Sequence, residues 1–170
     1  MSRLRGMIYT IDMALSLTLF MAALIIALLF LYRHGISHDY TSTDADLLIE
    51  TLLSQGIPEN WSSTTIISPG LLSSNGALSI EKFREIQNIS YEDLKLLIGV
   101  RSEFFFYIHN STSGIMINNT CGYGYTDIMP YNCSPIDAII SLNPSRIARR
   151  DAIIAIPPNM AYLTIYTWKK

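Results

Sequence analysis

The stretch Met13 to Tyr32, MALSLTLFMAALIIALLFLY, holds twenty residues without a formal charge and is rich in Leu, Ile, Phe and Ala. At the helical rise of about 1.5 Å per residue it would span roughly 30 Å, the hydrocarbon thickness of a bilayer, and a helix satisfies its own backbone there. The reading is a transmembrane helix. A cleaved secretory signal has a shorter apolar run of about 7 to 15 residues that ends in small residues, whereas this one ends in Phe30, Leu31 and Tyr32.

Upstream lies Met1 to Gly6, MSRLRG, with two arginines and no acid, then a lone Asp12 at the edge of the apolar run. The positive-inside rule keeps this end in the cytoplasm and puts everything beyond Tyr32 outside, a single-pass arrangement with an extracellular C-terminal domain.

A short basic leader ending in Gly, followed by an apolar helix with one acid in its first two turns, resembles the class III signal of type IV pilins, archaeal pilin-like proteins in particular. The resemblance implies that a prepilin-type peptidase cuts after Gly6, leaving Met7 as the new N-terminus and keeping the helix. It also implies an assembly role for Asp12, whose carboxylate would pair with the Met7 amine of the same or a neighbouring chain. Asp12 is then the sixth mature residue, one place later than the family's Glu, and Met7 replaces the family's frequent Gln. The alternative is an acid resting at headgroup level, where solvation is cheap. Ala14, Thr18 and Ala22, with Ala23 and Ala27 beside them, supply small residues that allow close helix packing.

The remaining roughly 140 residues are enough for one domain. Segments 1–6, 7–34 and 35–170 are thus expected to be leader, membrane or filament-core helix, and head. A net charge of −2 offers no platform for nucleic acid. Cys121 and Cys133 are the only cysteines and flank GYGYTDIMPYN, which reads as a disulfide-closed loop, with two buried free thiols as the alternative. Asn60, Asn88, Asn110, Asn118 and Asn132 each open an Asn-x-Ser/Thr triplet, a possible N-glycosylation site or simply a turn.

Along the head, Thr43 is placed to cap DADLLIETLLSQ, Ser79 to cap IEKFREIQ, and Ser90 to cap YEDLKLLI with Gly99 at its end. Strands are expected at 64–68, 103–109, 115–117, 138–142, 147–156 and 161–168, with NSTSG and Pro157-Pro158-Asn159 as turns. Pro58 and Trp61 read as a rigid helix exit and an aromatic plug. The fold class is α+β: a long N-terminal transmembrane helix, then helices and a small antiparallel sheet, as in pilins. The order GIPENW, Gly70-Leu71, SYEDLKLLIG, EFFFYI and a last strand ending in Trp168 also looks like a recurrent archaeal family of pilin-like proteins.

Little in the sequence points to catalysis. His34 and His38, four apart and followed by Asp39, lack a third metal ligand, so neither metal nor cofactor is expected. Gly122-Tyr123-Gly124 lacks the context of a phosphate loop and reads as turn glycines. Arg146, Arg149 and Arg150 form the only basic cluster and read as a solvated strand face, with contact to a glycan, a neighbouring subunit or an acidic surface polymer as the alternative. The expectation is a structural subunit, major or minor, of an archaeal type IV pilus-like surface filament with a role in adhesion, and with other pilin-like subunits, the membrane and the peptidase as partners. The alternative is a membrane-anchored surface binding domain that does not polymerise.

Overall fold

The computed structural model describes the backbone of residues 2–33, 40–111, 113–117, 119–128 and 133–170, with side chains described from Met13 to Leu29 in the first segment. The chain forms two compact units, Met1–His38 and Asp39–Lys170.

The first unit contains helix α1, Ser2–Arg33. Its described side chains run from Met13 to Leu29. Among the described residues no helix is long and apolar enough to cross a membrane. This corrects the transmembrane part of the expected fold class. The single-pass placement, with a cytoplasmic N-terminus and an extracellular head, loses its support with it.

The second unit is an α+β domain. Helices α2 (Tyr40–Leu52), α3 (Ile80–Gln87) and α4 (Tyr91–Ile98) precede strand β1 (Glu103–His109) and the short β2 (Gly122–Gly124). Helix α5 (Ile136–Ser141) then leads to the long hairpin β3 (Arg146–Ile156) and β4 (Asn159–Lys169). The sheet is antiparallel throughout, in the order β2-β1-β4-β3.

Local chemistry accounts for the helix ends. Ser79 accepts the Lys82 N–H at 3.3 Å, and Ser90 accepts the Asp93 N–H at 3.2 Å while donating to the Asp93 carboxylate at 2.6 Å. Gly99 closes α4 at φ +83°, a conformation that costs glycine little. Helix α2 begins before Thr43, so the expected cap lies inside the helix and Asp44 turns to other partners.

Strand alternation divides the sheet into two faces. Phe104, Phe106 and Ile108 share one face with Leu163, Ile165 and Thr167. The helices pack there: Phe83 meets Phe106 edge-on at 6.3 Å, Tyr91 lies 5.1 Å from Phe104, and Thr167 donates to the Thr41 carbonyl at 2.6 Å. The opposite face carries Phe105, Tyr107, His109, Tyr162, Thr164, Tyr166 and Trp168, with Tyr125 edge-on to Trp168 at 5.7 Å. Trp61 plugs the end of α2, its indole N–H donating to the Gly70 carbonyl at 3.1 Å.

Three expected strands take other forms. Residues 138–142 lie largely in α5, which begins after Pro135 and has Asp137 in its first turn; a short apolar run cannot be assigned to helix or strand by periodicity alone. Segment 64–68 forms an isolated bridge, Ile57 with Ser68, and 115–117 forms no strand, although the chain turns back on β1 there, with a His109–Gly114 bridge and the Ile115 N–H donating to the Ile108 carbonyl at 2.9 Å. On the side away from β4, β1 pairs with the Gly-Tyr-Gly segment. At Gly122 an added Cβ would fall 2.5 Å from the Phe106 carbonyl oxygen and 2.7 Å from the Phe105 ring, so glycine permits the close approach.

Candidate functional site

The described surface of α1 is apolar on every side. Met13, Leu15, Leu17, Leu19, Phe20, Met21, Leu24, Ile25, Ile26, Leu28 and Leu29 are all exposed in the single chain, Met13 at 78% and Ile26 at 67%. Thr18 turns its hydroxyl onto the Leu15 carbonyl at 2.8 Å, removing a polar group from that surface. Gly6, Met7 and Asp12 lie on the α1 backbone, and their side chains fall outside the described residues. His34, His38 and Asp39 lie outside them altogether.

In the head, Cys121 and Cys133 are bonded, with their Cα atoms 5.6 Å apart. Among the sequons, Asn60 and Asn88 are exposed, and Asn110 is half-buried with its amide oxygen accepting the Ser113 N–H at 2.6 Å. Asn118 and Asn132 lie outside the described residues.

Two polar arrangements were not anticipated from the sequence. On the sheet, β1, β4 and β3 bring His109, Thr164, Asp151 and Arg149 into a chain of hydrogen bonds. His109 Nε2 meets the Thr164 hydroxyl at 2.8 Å, that hydroxyl donates to Asp151 at 2.5 Å, and Arg149 donates to the same carboxylate at 3.0 and 3.1 Å. Burial pushes the Asp151 carboxyl up, but Thr164 and Arg149 outweigh it and hold the group below its usual range. His109 stacks between Tyr107 and Tyr162, with ring centroids at 5.0 and 5.4 Å. Strand alternation could have placed these residues on one face, but register between distant strands is not visible in the sequence.

The second arrangement is a groove of about 530 Å³ beside α3, lined by Glu59, Trp61, Ser74, Glu81, Lys82 and Glu85 among others. Lys82 is buried and donates to the carbonyls of Gln55 and Leu72, both at 2.7 Å. Desolvation draws its pKa down, opposed by Glu59. Glu85 accepts the Ser63 N–H at 2.8 Å. The polar groups of this groove that have resolved partners thus tie loops to α3, a structural use. Among the described residues no group of three or more His, Cys, Asp or Glu side chains could hold a metal ion.

No known protein family, no curated protein and no solved structure matches this chain.

Proposed function

We propose that this chain is a subunit of a type IV pilus-like filament whose core is built from copies of α1. The observation that carries the reading is the exposed apolar surface from Met13 to Leu29. A helix apolar all round needs burial on every side, and a bundle of identical helices supplies it. Ala14, Thr18 and Ala22 at four-residue spacing favour close approach between such helices. The leader pattern supports processing by a prepilin-type peptidase between Gly6 and Met7, which would free an amine to pair with Asp12 of a neighbouring subunit. An unpaired charge in that apolar core would cost several kcal/mol, so the pair would also set the register between subunits.

The test combines mass spectrometry of the native N-terminus with electron microscopy of sheared or pelleted material. A mature chain starting at Met7, retained leader in Gly6→Val, and loss of filaments in Asp12→Ala are the expected results. A native chain still carrying Met1 to Gly6, with Asp12→Ala assembling as wild type, would overturn the proposal.

A further inference from the structure

Strand β3 lies at the edge of the sheet and is eleven residues long, whereas β2 at the other edge has three. Long open edges are templates for pairing with another strand. The orientation of the β3 backbone follows from one bond: Leu78 N–H donates to the Ala155 carbonyl at 2.8 Å from the side away from β4. In an antiparallel strand both backbone groups of a residue point the same way and alternate along the chain. Ile147, Arg149, Asp151 and Ile153 therefore also point outward. The Arg149 carbonyl already receives the Arg150 guanidinium at 3.0 Å, which leaves one lone pair for a partner strand. Ile147 and Ile153 are 40% and 63% exposed, and Arg149 and Asp151 are exposed too.

The sequence of this open stretch, Ile147-Ala148-Arg149-Arg150-Asp151-Ala152-Ile153, reads nearly the same in both directions about Arg150. Laid against a second copy in antiparallel register centred there, Ile147 faces Ile153, Ala148 faces Ala152, and Arg149 faces Asp151, each pair occurring twice. Arg149 and Asp151 already pair within each chain, so the two copies bring these pairs together as a neutral four-charge cluster beside the apolar pairs, whereas any shift by two residues sets like charges opposite one another. The two Arg150 side chains would meet at the axis on the helix-bearing face. Each is already neutralised by Asp46 of α2, with Nε 2.5 Å from its carboxylate. The open stretch ends where Ala77 bridges to Ala155, and β3 begins at Arg146, so the partner strand would start short of that obstruction.

We propose that two copies of this chain pair through the open edges of β3, antiparallel and centred on Arg150, to form a continuous eight-stranded sheet. The contact is two-fold symmetric and closed, so it joins heads in pairs without propagating. It is independent of the filament reading.

Cysteine cross-linking of the full chain tests the register. Facing residues at the axis form a non-hydrogen-bonded pair with Cα atoms about 4.5 Å apart, within disulfide reach. Two copies of residue 148 would lie about 13 Å apart along the strands, out of reach. Under mild oxidation Arg150→Cys should give at least about tenfold more covalent dimer than Ala148→Cys or Ala152→Cys alone, and the last two mixed should give the mixed dimer. The mixture remains informative if loss of the Arg150 ion pair harms folding. Absence of dimer from both Arg150→Cys and the mixture, or equal cross-linking at all three positions, would refute the pairing. Asp12→Ala leaves the cross-link unchanged, which separates this contact from filament assembly.

Discussion

The buried carboxylate of Asp44 accepts the backbone N–H of Ser102 at 2.7 Å, and the same oxygen accepts that of Arg101 at 2.9 Å. One acid in α2 thereby fixes the turn that launches β1. Asp44→Ala leaves two N–H groups without their partner, and the Ser102 one is buried, so the expected loss is about 2 to 3 kcal/mol in urea unfolding. Asp46→Ala, which removes an exposed ion pair, should cost less than about 1 kcal/mol in the same assay.

The Tyr123 phenol donates to the Ile89 carbonyl, and burial pushes its pKa up to about 12. The unfolded group ionises near 10, so its contribution is complete below about pH 10 and is lost as pH rises towards 12. Tyr91, raised further by burial and by Glu103, adds to the loss in the same direction. Unfolding followed between pH 9 and 12 should show a falling stability, and Tyr123→Phe should reduce that slope while lowering stability at neutral pH.

Gly114 lies directly beneath Cys133: a Cβ added there would collide with both the Cβ and the Sγ of that cysteine. Gly114→Ala should therefore displace the disulfide and destabilise the head. Removing the bond itself with Cys121→Ala and Cys133→Ala together should cost about 3 kcal/mol by the chain-entropy model. Peptide mapping without reductant should recover the two cysteines in one linked fragment.

Phe106 is fully buried between Phe83 and Tyr123, with ring centroids 6.3 and 6.2 Å away. Phe106→Ala should lower stability by about 3 to 5 kcal/mol, while Phe106→Leu should lose less because it preserves more of the volume. Thermal melts of the two variants should rank in that order.

What could be read from the sequence was local. Ser79, Ser90 and Gly99 mark the ends of α3 and α4 because capping depends on residues three or four apart. The β3-β4 hairpin is visible because two apolar runs flank Pro157 and Pro158. What depended on distant partners was hidden. Gly122 and Gly124 resemble turn residues until the Phe105 backbone and ring are set against them, and Asp44 resembles an ordinary first-turn acid until Ser102 is placed opposite. The length of the Met13 to Tyr32 run suggested a membrane span that the described helix does not provide. The Arg146 to Arg150 cluster looks like a solvated face in the sequence, whereas Arg150 bonds to Asp46 and Ser42 of α2.

The bond from Thr167 to the Thr41 carbonyl ties the last strand to the first turn of α2, where the chain enters the head. A pull applied upstream of Tyr40 is therefore delivered at once to β4, an interior strand held along its length by β1 and β3. Arg150 adds a second tie from β3 to Ser42 and Asp46. These two ties fasten the start of α2 to an interior strand and to its edge neighbour, and neither runs through the cysteine loop or the groove.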